Sequence, residues 1–239
     1  MAVNKITKNF YAISLGFVNA FLVEANELTL IDTGIGSSAE RILDAVKQIG
    51  YSAADVKHIL VSHAHNDHTG SLAELKEATG APAYMHPLDA ALVRGGESTR
   101  TWEPGPGMAN RLMARLLMPV GARFFRAEPV EIEHHINVGD RLDFAGGMEV
   151  ILAPGHSAGQ VALLSRENGG TLFAADAASN MFGLGYSIIY EDIEIGRRSL
   201  ARLAELEFDN ACFGHGRAII GGAADRFRAK WGHVLVPEN

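Results

Sequence analysis

Among 239 residues there is one cysteine, Cys212. A lone thiol closes no internal disulfide, so the fold must rest on its apolar core, and such usage fits a reducing compartment. Long hydrophobic runs are also missing. No stretch of about 18 apolar residues occurs, which excludes a membrane-spanning helix and leaves no membrane partner to expect. The opening residues, MAVNKITKNFYAISLG, lack the basic-then-apolar order and the small-residue cleavage site of a secretory signal, so a cytoplasmic protein is expected. Positive charge is scarce: 21 Lys and Arg stand against 28 Asp and Glu, a formal net charge of −7, which argues against a nucleic-acid partner. What remains is an ordinary globular composition, 47% hydrophobic and 21% charged, long enough to bury a sizeable core.

Along the chain, Phe10–Glu24 and Glu27–Asp32 read as paired strands, followed by a helical face at Ala39, Ile42, Leu43, Val46 and Ile49, capped by Ser37 or Ser38 and ended by Gly50. The β-branched run His58–Val61 leads into Ser62-His63-Ala64-His65-Asn66-Asp67-His68-Thr69-Gly70, then a helix from Leu72 to Ala78 and a short strand Ala83–Met85. Strand, loop, helix, strand is α/β logic. Between Gly95 and Ala127 the composition changes. Turn-rich TWEPGPG precedes an apolar stripe at Leu112, Met113, Leu116, Leu117 and Val120, a helix ended or kinked at Pro119 and Gly121. Strands resume at Arg141–Phe144, Glu149–Ala153, Val161–Ser165 and Thr171–Ala175. Helix is predicted around Ile195–Leu206, strand at Asn210–Phe213 and helix at Ala223–Trp231. A loose two-fold echo runs through the chain: a strand delivering Asp32 and a later one ending at His63, then a strand delivering Asp176 and a later one ending at His215. It suits two sheet-plus-helix halves packed as a single domain over residues 1–239, with 95–127 as a helical insertion.

The chemistry concentrates in His63-x-His65-x-Asp67-His68. In an extended segment His63 and His65 point the same way and can share an ion, while Asp67 and His68 turn past it and suit a second. Imidazole and carboxylate donors suit divalent zinc, and also iron, manganese or cobalt. His156, directly after a strand, Asp176, at a strand end, and His215, flanked by Gly214 and Gly216, complete the set. Two divalent ions set against Asp67, Asp176 and a hydroxide leave the site slightly positive, as holding an oxyanion requires.

With these residues in this order the chain resembles the metallo-β-lactamase superfamily, closest in ligand set to its glyoxalase II and lactonase branches. The resemblance implies an αββα sandwich with the metals at one edge. It assigns His63, His65 and His156 to one metal and Asp67, His68 and His215 to the other, with Asp176 bridging and Asp32 supporting the histidine loop. It implies hydrolysis of an ester or lactone in a small-molecule substrate, a hydroxide between the ions attacking the carbonyl and Asp67 moving a proton. Glyoxalase II-like thioester hydrolysis and persulfide oxygenation at a single iron are the alternatives. True lactamases commonly carry Cys or Ser where Asp176 stands, which disfavours antibiotic hydrolysis. Diiron flavoproteins carry Glu where His65 stands, and the glutathione-binding region of glyoxalase II exceeds the 24 residues after His215.

From Arg94, just before the insertion, to Arg126 there are six arginines against Glu97 and Glu103, a local balance of +4 in an acidic chain. Two readings stand: a lid whose Trp102, Met108, Met113 and Leu116 meet an apolar acyl group, or a helix burying its stripe on the core or on a second subunit of a homodimer. Tyr186 or Tyr190, in the glycine-rich stretch after Asp176, is placed to donate a hydrogen bond to an oxyanion, packing being the alternative. His58, His86, His134, His135 and His233 fall outside the ligand pattern, and Cys212 reads as a buried, inert thiol.

Overall fold

The computed structural model describes residues 3–124 and 128–234. Its first sheet grows from the amino-terminal apolar stretches. β1 (Val3–Lys5), β2 (Phe10–Ser14), β3 (Asn19–Glu24) and β4 (Leu28–Ile31) pair antiparallel in sequence order. Phe10–Glu24 is therefore two strands, not one. The alternation runs on through the turn, but Leu15 N–H closes onto Val18 C=O across Gly16, whose φ of 111° a side chain would resist.

From β4 the chain turns to crossovers. α1 (Ala39–Gln48) leads to β5 (Val56–Leu60). The one-turn α2 (Asn66–Thr69) and α3 (Leu72–Thr79) lead to β6 (Ala83–Met85), which is followed by α4 (Pro87–Arg94). β4, β5 and β6 are parallel, as such connections demand. Beyond the two-residue β7 (Glu103–Pro104) and α5 (Met108–Phe124), β8 (His134–His135) completes the seven-stranded order β1-β2-β3-β4-β5-β6-β8.

The second sheet takes β9 (Arg141–Leu142), β10 (Met148–Leu152), β11 (Val161–Ser165) and β12 (Thr171–Phe173). β13 (Ile189–Tyr190) pairs with β7 as a separate ribbon. After α6 (Ile193–Ala204), β14 (Asn210–Cys212) adds in parallel beside β12, and α7 (Ala223–Trp231) follows, giving the order β14-β12-β11-β10-β9.

Three apolar clusters define the layers. Ile42, Val46, Leu72, Leu75, Ala90 and Val93 seal the helices α1, α3 and α4 onto the first sheet. Phe21, Ile31, Leu60, Met148, Val150, Leu163 and Phe173 fill the space between the sheets. Leu200, Leu203, Phe227 and Trp231 seat α6 and α7 on the second sheet. This is the expected αββα sandwich, and each fully buried Leu, Ile or Phe contributes about 1.5–3 kcal/mol to it. The two-fold echo is also real: β4-α1-β5 and β12-α6-β14 are both parallel strand–helix–strand units. No helix among the described residues is long and apolar enough to cross a membrane.

Three local expectations need correction. Ser38 occupies the cap position of α1, but its side chain makes no capping bond. α5 continues past Pro119 to Phe124 instead of stopping there. Its stripe is not buried on the core either: Met108 is 86% exposed, and Leu112, Leu116 and Leu117 are exposed too. The inward side is carried by Asn110, Met113, Ala114 and Met118. Arg126 and Ala127 lie outside the described residues, as do the side chains of Val120 and Arg123.

Candidate metal centre

β5 runs out at Leu60, and an irregular segment that bends at Ala64 carries His63 and His65 before α2 begins, with His65 as its N-cap at φ −61°, ψ 145°. His63 Nε2 lies 3.2 Å from His65 Nδ1. The His156 ring, delivered after β10, sits 4.9 Å from that of His63 and 4.5 Å from that of His65. Beside them, Asp176 Oδ1 is 3.6 Å from His68 Nε2, while its Oδ2 is 3.5 Å from His156 Nε2 and 3.0 Å from His215 Nε2. Asp67 Oδ2 is 3.2 Å from His215 Nε2. All seven residues singled out by pattern therefore converge. Their donor atoms form the groups His63–His65–His156, His63–His68–Asp176 and Asp67–His68–His215, each within 4.8 Å.

Hydrogen bonds decide which ring nitrogen faces inward. His156 Nδ1–H donates to Ile189 C=O at 2.8 Å, so this neutral ring presents a bare Nε2, and His215 Nδ1–H donates to Phe17 C=O at 2.7 Å, which turns its Nε2 toward Asp67 and Asp176. His68 Nδ1 is held by Asp32 Oδ2 at 2.8 Å. Ser62 settles His63 by elimination. Its amide and hydroxyl both donate to Asp32, at 2.8 and 2.9 Å, so its oxygen can only accept from His63 Nδ1 at 3.0 Å. His63 Nε2 thus carries a lone pair toward His65. Asp32 organises the loop from behind, as a carboxylate supporting metal-ligating histidines does.

The donors fit a divalent cation. His65 Nε2, His68 Nε2, His156 Nε2 and Asp176 Oδ1 are buried without a hydrogen-bond partner, a cost native structures avoid unless something else satisfies the group. Charge divides the cluster. Burial, reinforced by the surrounding imidazoles, pushes His63 well below its usual range, and burial holds His156 down at about 4. Burial also opposes charge on His68 and His215, but the carboxylates prevail. Asp32, Asp176 and Asp67 raise His68 to about 9, and Asp176 and Asp67 raise His215 well above its ordinary value. In return the imidazoles hold Asp67 and Asp176 below the carboxylate range in spite of burial.

A pH dependence follows. A raised pKa means His68 keeps its proton at pH 7 until a cation displaces it, so uptake must release protons and apparent affinity must climb as pH rises toward about 9. Calorimetric titrations of metal-free protein in buffers of different ionisation heat measure this. A buffer-independent heat at pH 7 would contradict it.

Residues 13–215 match the profile of the metallo-beta-lactamase superfamily. The chain belongs to that superfamily. It is 33% identical over 172 residues to the uncharacterized protein YobT of Bacillus subtilis (strain 168), covering 71% of this chain and 66% of that protein. It is 31% identical over 177 residues to a hydroxyacylglutathione hydrolase of Rhizobium meliloti (strain 1021), covering 73% of this chain and 52% of that one. The chain thus spans just under two thirds of the first relative and about half of the second. A metallo-beta-lactamase family protein of Thermus thermophilus superposes with a TM-score of 0.71 at 24% identity, over 96% of this chain and 80% of that one, a likeness of fold.

Backbone detail around the superfamily site is unusual. Asp32 and Ala175 adopt positive φ, 60° and 46°, at the ends of β4 and β12, a strain of about 1–3 kcal/mol each that persists where a fold over-determines it. Gly214 serves the ligands themselves: a Cβ there would overlap Asp176 Oδ1 and His68 Cε1.

Packing contacts, the alternative reading, are found at both tyrosines, and the Tyr190 hydroxyl is taken up by backbone. Tyr186 packs its ring on Trp231 at 5.9 Å and joins the α6–α7 core. Tyr190 is buried with its hydroxyl donated to Ala177 C=O at 2.8 Å while accepting from Ser187 N–H at 3.0 Å. Both tyrosines pack. His58 pairs with Glu27 at 2.6 Å, His134 stacks on Tyr84, and His86 caps α4. Burial pushes the Cys212 thiol up and leaves it inert. Nothing in the sequence singles out Ser62 or Asp89. A serine beside a histidine is common, and an acid in a helix's first turn is ordinary helix chemistry.

Proposed function

We propose that this chain is a dinuclear metal-dependent hydrolase that cleaves an ester or lactone bond in a small molecule. The observation that carries the reading is the convergence of five imidazoles and two carboxylates with several of their inward atoms left unpaired. His63, His65 and His156 would hold one ion and Asp67, His68 and His215 the other, zinc being the first choice and iron, manganese or cobalt the alternatives. Asp176 would be the ligand common to both groups, a role supported by the approach of its oxygens to His68, His156 and His215. Bound divalent ions supply Lewis acidity toward a carbonyl oxygen and bring the pKa of water down to around 7.

The chain's own residues do the rest. Ser62, Asp32, Ile189 and Phe17 each hold the Nδ1 of one ring and so fix four rings in orientation, with no reorganisation needed when a substrate arrives. Asp67 reaches solvent, its side chain 25% exposed against 3% for Asp176, which supports it as the group that passes a proton to bulk water. Phe17, stacked on the His215 ring at 6.0 Å, and the exposed Met181 and Phe182 offer apolar surface beside the metal groups for the non-reacting part of a substrate. The insertion is tied to the segment below it through Asn110, whose amide reaches Ser187 C=O at 3.3 Å, and this favours the lid reading of α5 over core packing. Similarity to a hydroxyacylglutathione hydrolase supports thioester cleavage as the second reading.

The test joins metal analysis to a hydrolysis panel of lactones, aryl esters, lactoylglutathione, cephalosporins and phosphodiesters. Two metals per chain with turnover of a lactone or aryl ester is expected. Lactoylglutathione as the preferred substrate selects the second reading, and an inert panel with two metals bound ends both.

A further inference from the structure

One carboxylate outside the ligand cluster touches both loops that supply its first metal group. Asp89, on α4, is 0% exposed. Its Oδ2 accepts from Ala64 N–H at 3.0 Å, the amide between His63 and His65. Ser157, next to His156, donates its hydroxyl to the same carboxylate at 2.6–2.7 Å, and Gly159 N–H donates to Oδ1 at 3.0 Å. A Cβ at Gly159 would come within 2.7 Å of Asp89 Oδ1, so the approach needs that glycine. The countercharge comes from the start of the insertion. Arg100 Nη1 lies 3.2 Å from Asp89 Oδ1 and 3.1 Å from Glu191 Oε1, and Glu191 Oε2 in turn accepts Ala158 N–H at 2.8 Å.

The geometry points to Asp89 as a positioning residue that sets the His63–His65–His156 ligand group, with Arg100 coupling that group to the insertion. This rests on the reading that the three histidines hold a metal. The histidines lie on two irregular loops far apart in sequence, and neither loop alone fixes its distance from the other. A buried anion that takes donors from both does so, because charge-assisted bonds are short and directional and a displaced loop would strand a buried charge. Asp89→Asn keeps the shape but turns one acceptor oxygen into a donor facing other donors. The ligand group should loosen without losing a ligand.

Cobalt(II) titration of the chelator-stripped full chain, followed by visible absorption, reads this directly. Wild type is expected to fill both groups. Asp89→Asn should bind cobalt at the histidine group about 10–100-fold more weakly, with an altered absorption band. Ser157→Ala and Arg100→Gln should shift affinity the same way by a smaller factor, and they decide the matter if Asp89→Asn does not fold. Phe227→Leu, a change in the α6–α7 core, lowers the melting temperature but should leave the cobalt spectrum as it is. The proposal is overturned if Asp89→Asn titrates like wild type, or if Phe227→Leu perturbs the spectrum equally. Wild-type protein that takes up no cobalt would instead remove the metal reading underneath.

Discussion

Chelator-stripped protein is expected to lose at least 100-fold in hydrolysis of its best panel substrate and to regain it when zinc, cobalt or manganese is restored. The reason is that the candidate nucleophiles near the site are occupied elsewhere. Cys212 is buried between the sheets with its thiol pKa pushed up, and the two tyrosines have packing or backbone partners. Removal should also lower the melting temperature. Without a cation the cluster combines imidazoles held neutral by burial with carboxylates whose countercharge is two protonated rings. A metal present at a thousandfold above its Kd adds about 4 kcal/mol to the folded state, roughly 10 °C for a chain of this size. Thermal melts with and without chelator, alongside the assay, measure both effects. Stripped protein that turns over as before would remove the metal from the mechanism.

His65→Ala separates the site from the scaffold. His65 contributes a ring at 3.2 Å from His63 and an orphaned Nε2, whereas its structural role lies in its backbone carbonyl, which accepts from His68 and Thr69. Alanine keeps that carbonyl. The expected outcome is a fall in kcat of about a thousandfold or more, equivalent to about 4 kcal/mol of lost transition-state stabilisation, with circular dichroism unchanged. Metal content should drop toward one per chain, because Asp67, His68 and His215 are untouched. Undiminished activity would refute the role assigned to His65.

How much was legible beforehand differs by element, for physical reasons. The His63–His68 loop could be read because four donors lie within six positions, close enough in the chain that a compact loop holds them together. His156, Asp176 and His215 were visible as strand-end residues, and the αββα order followed from alternating strands and helices. The β2–β3 hairpin escaped because apolar alternation does not register a turn made by backbone freedom at Gly16. The α5 stripe misled because an apolar face implies a partner, and its exposed leucines have none in this chain's core. Asp89 and Ser62 were invisible, since their meaning comes from donors brought in from other elements.

Sequence alone determined which donor atoms exist, how closely the first four are spaced, and which segments bury an apolar face, because these depend on residue type and local period. Only the tertiary structure decided which nitrogen of each ring points inward. That choice belongs to Ile189, Phe17, Asp32 and Ser62, and a tautomer follows whichever partner the fold brings to its other side. It also decided that two strained strand ends, at Asp32 and at Ala175, would bring the carboxylates of Asp32 and Asp176 to opposite nitrogens of the His68 ring, a consequence of packing two similar halves face to face.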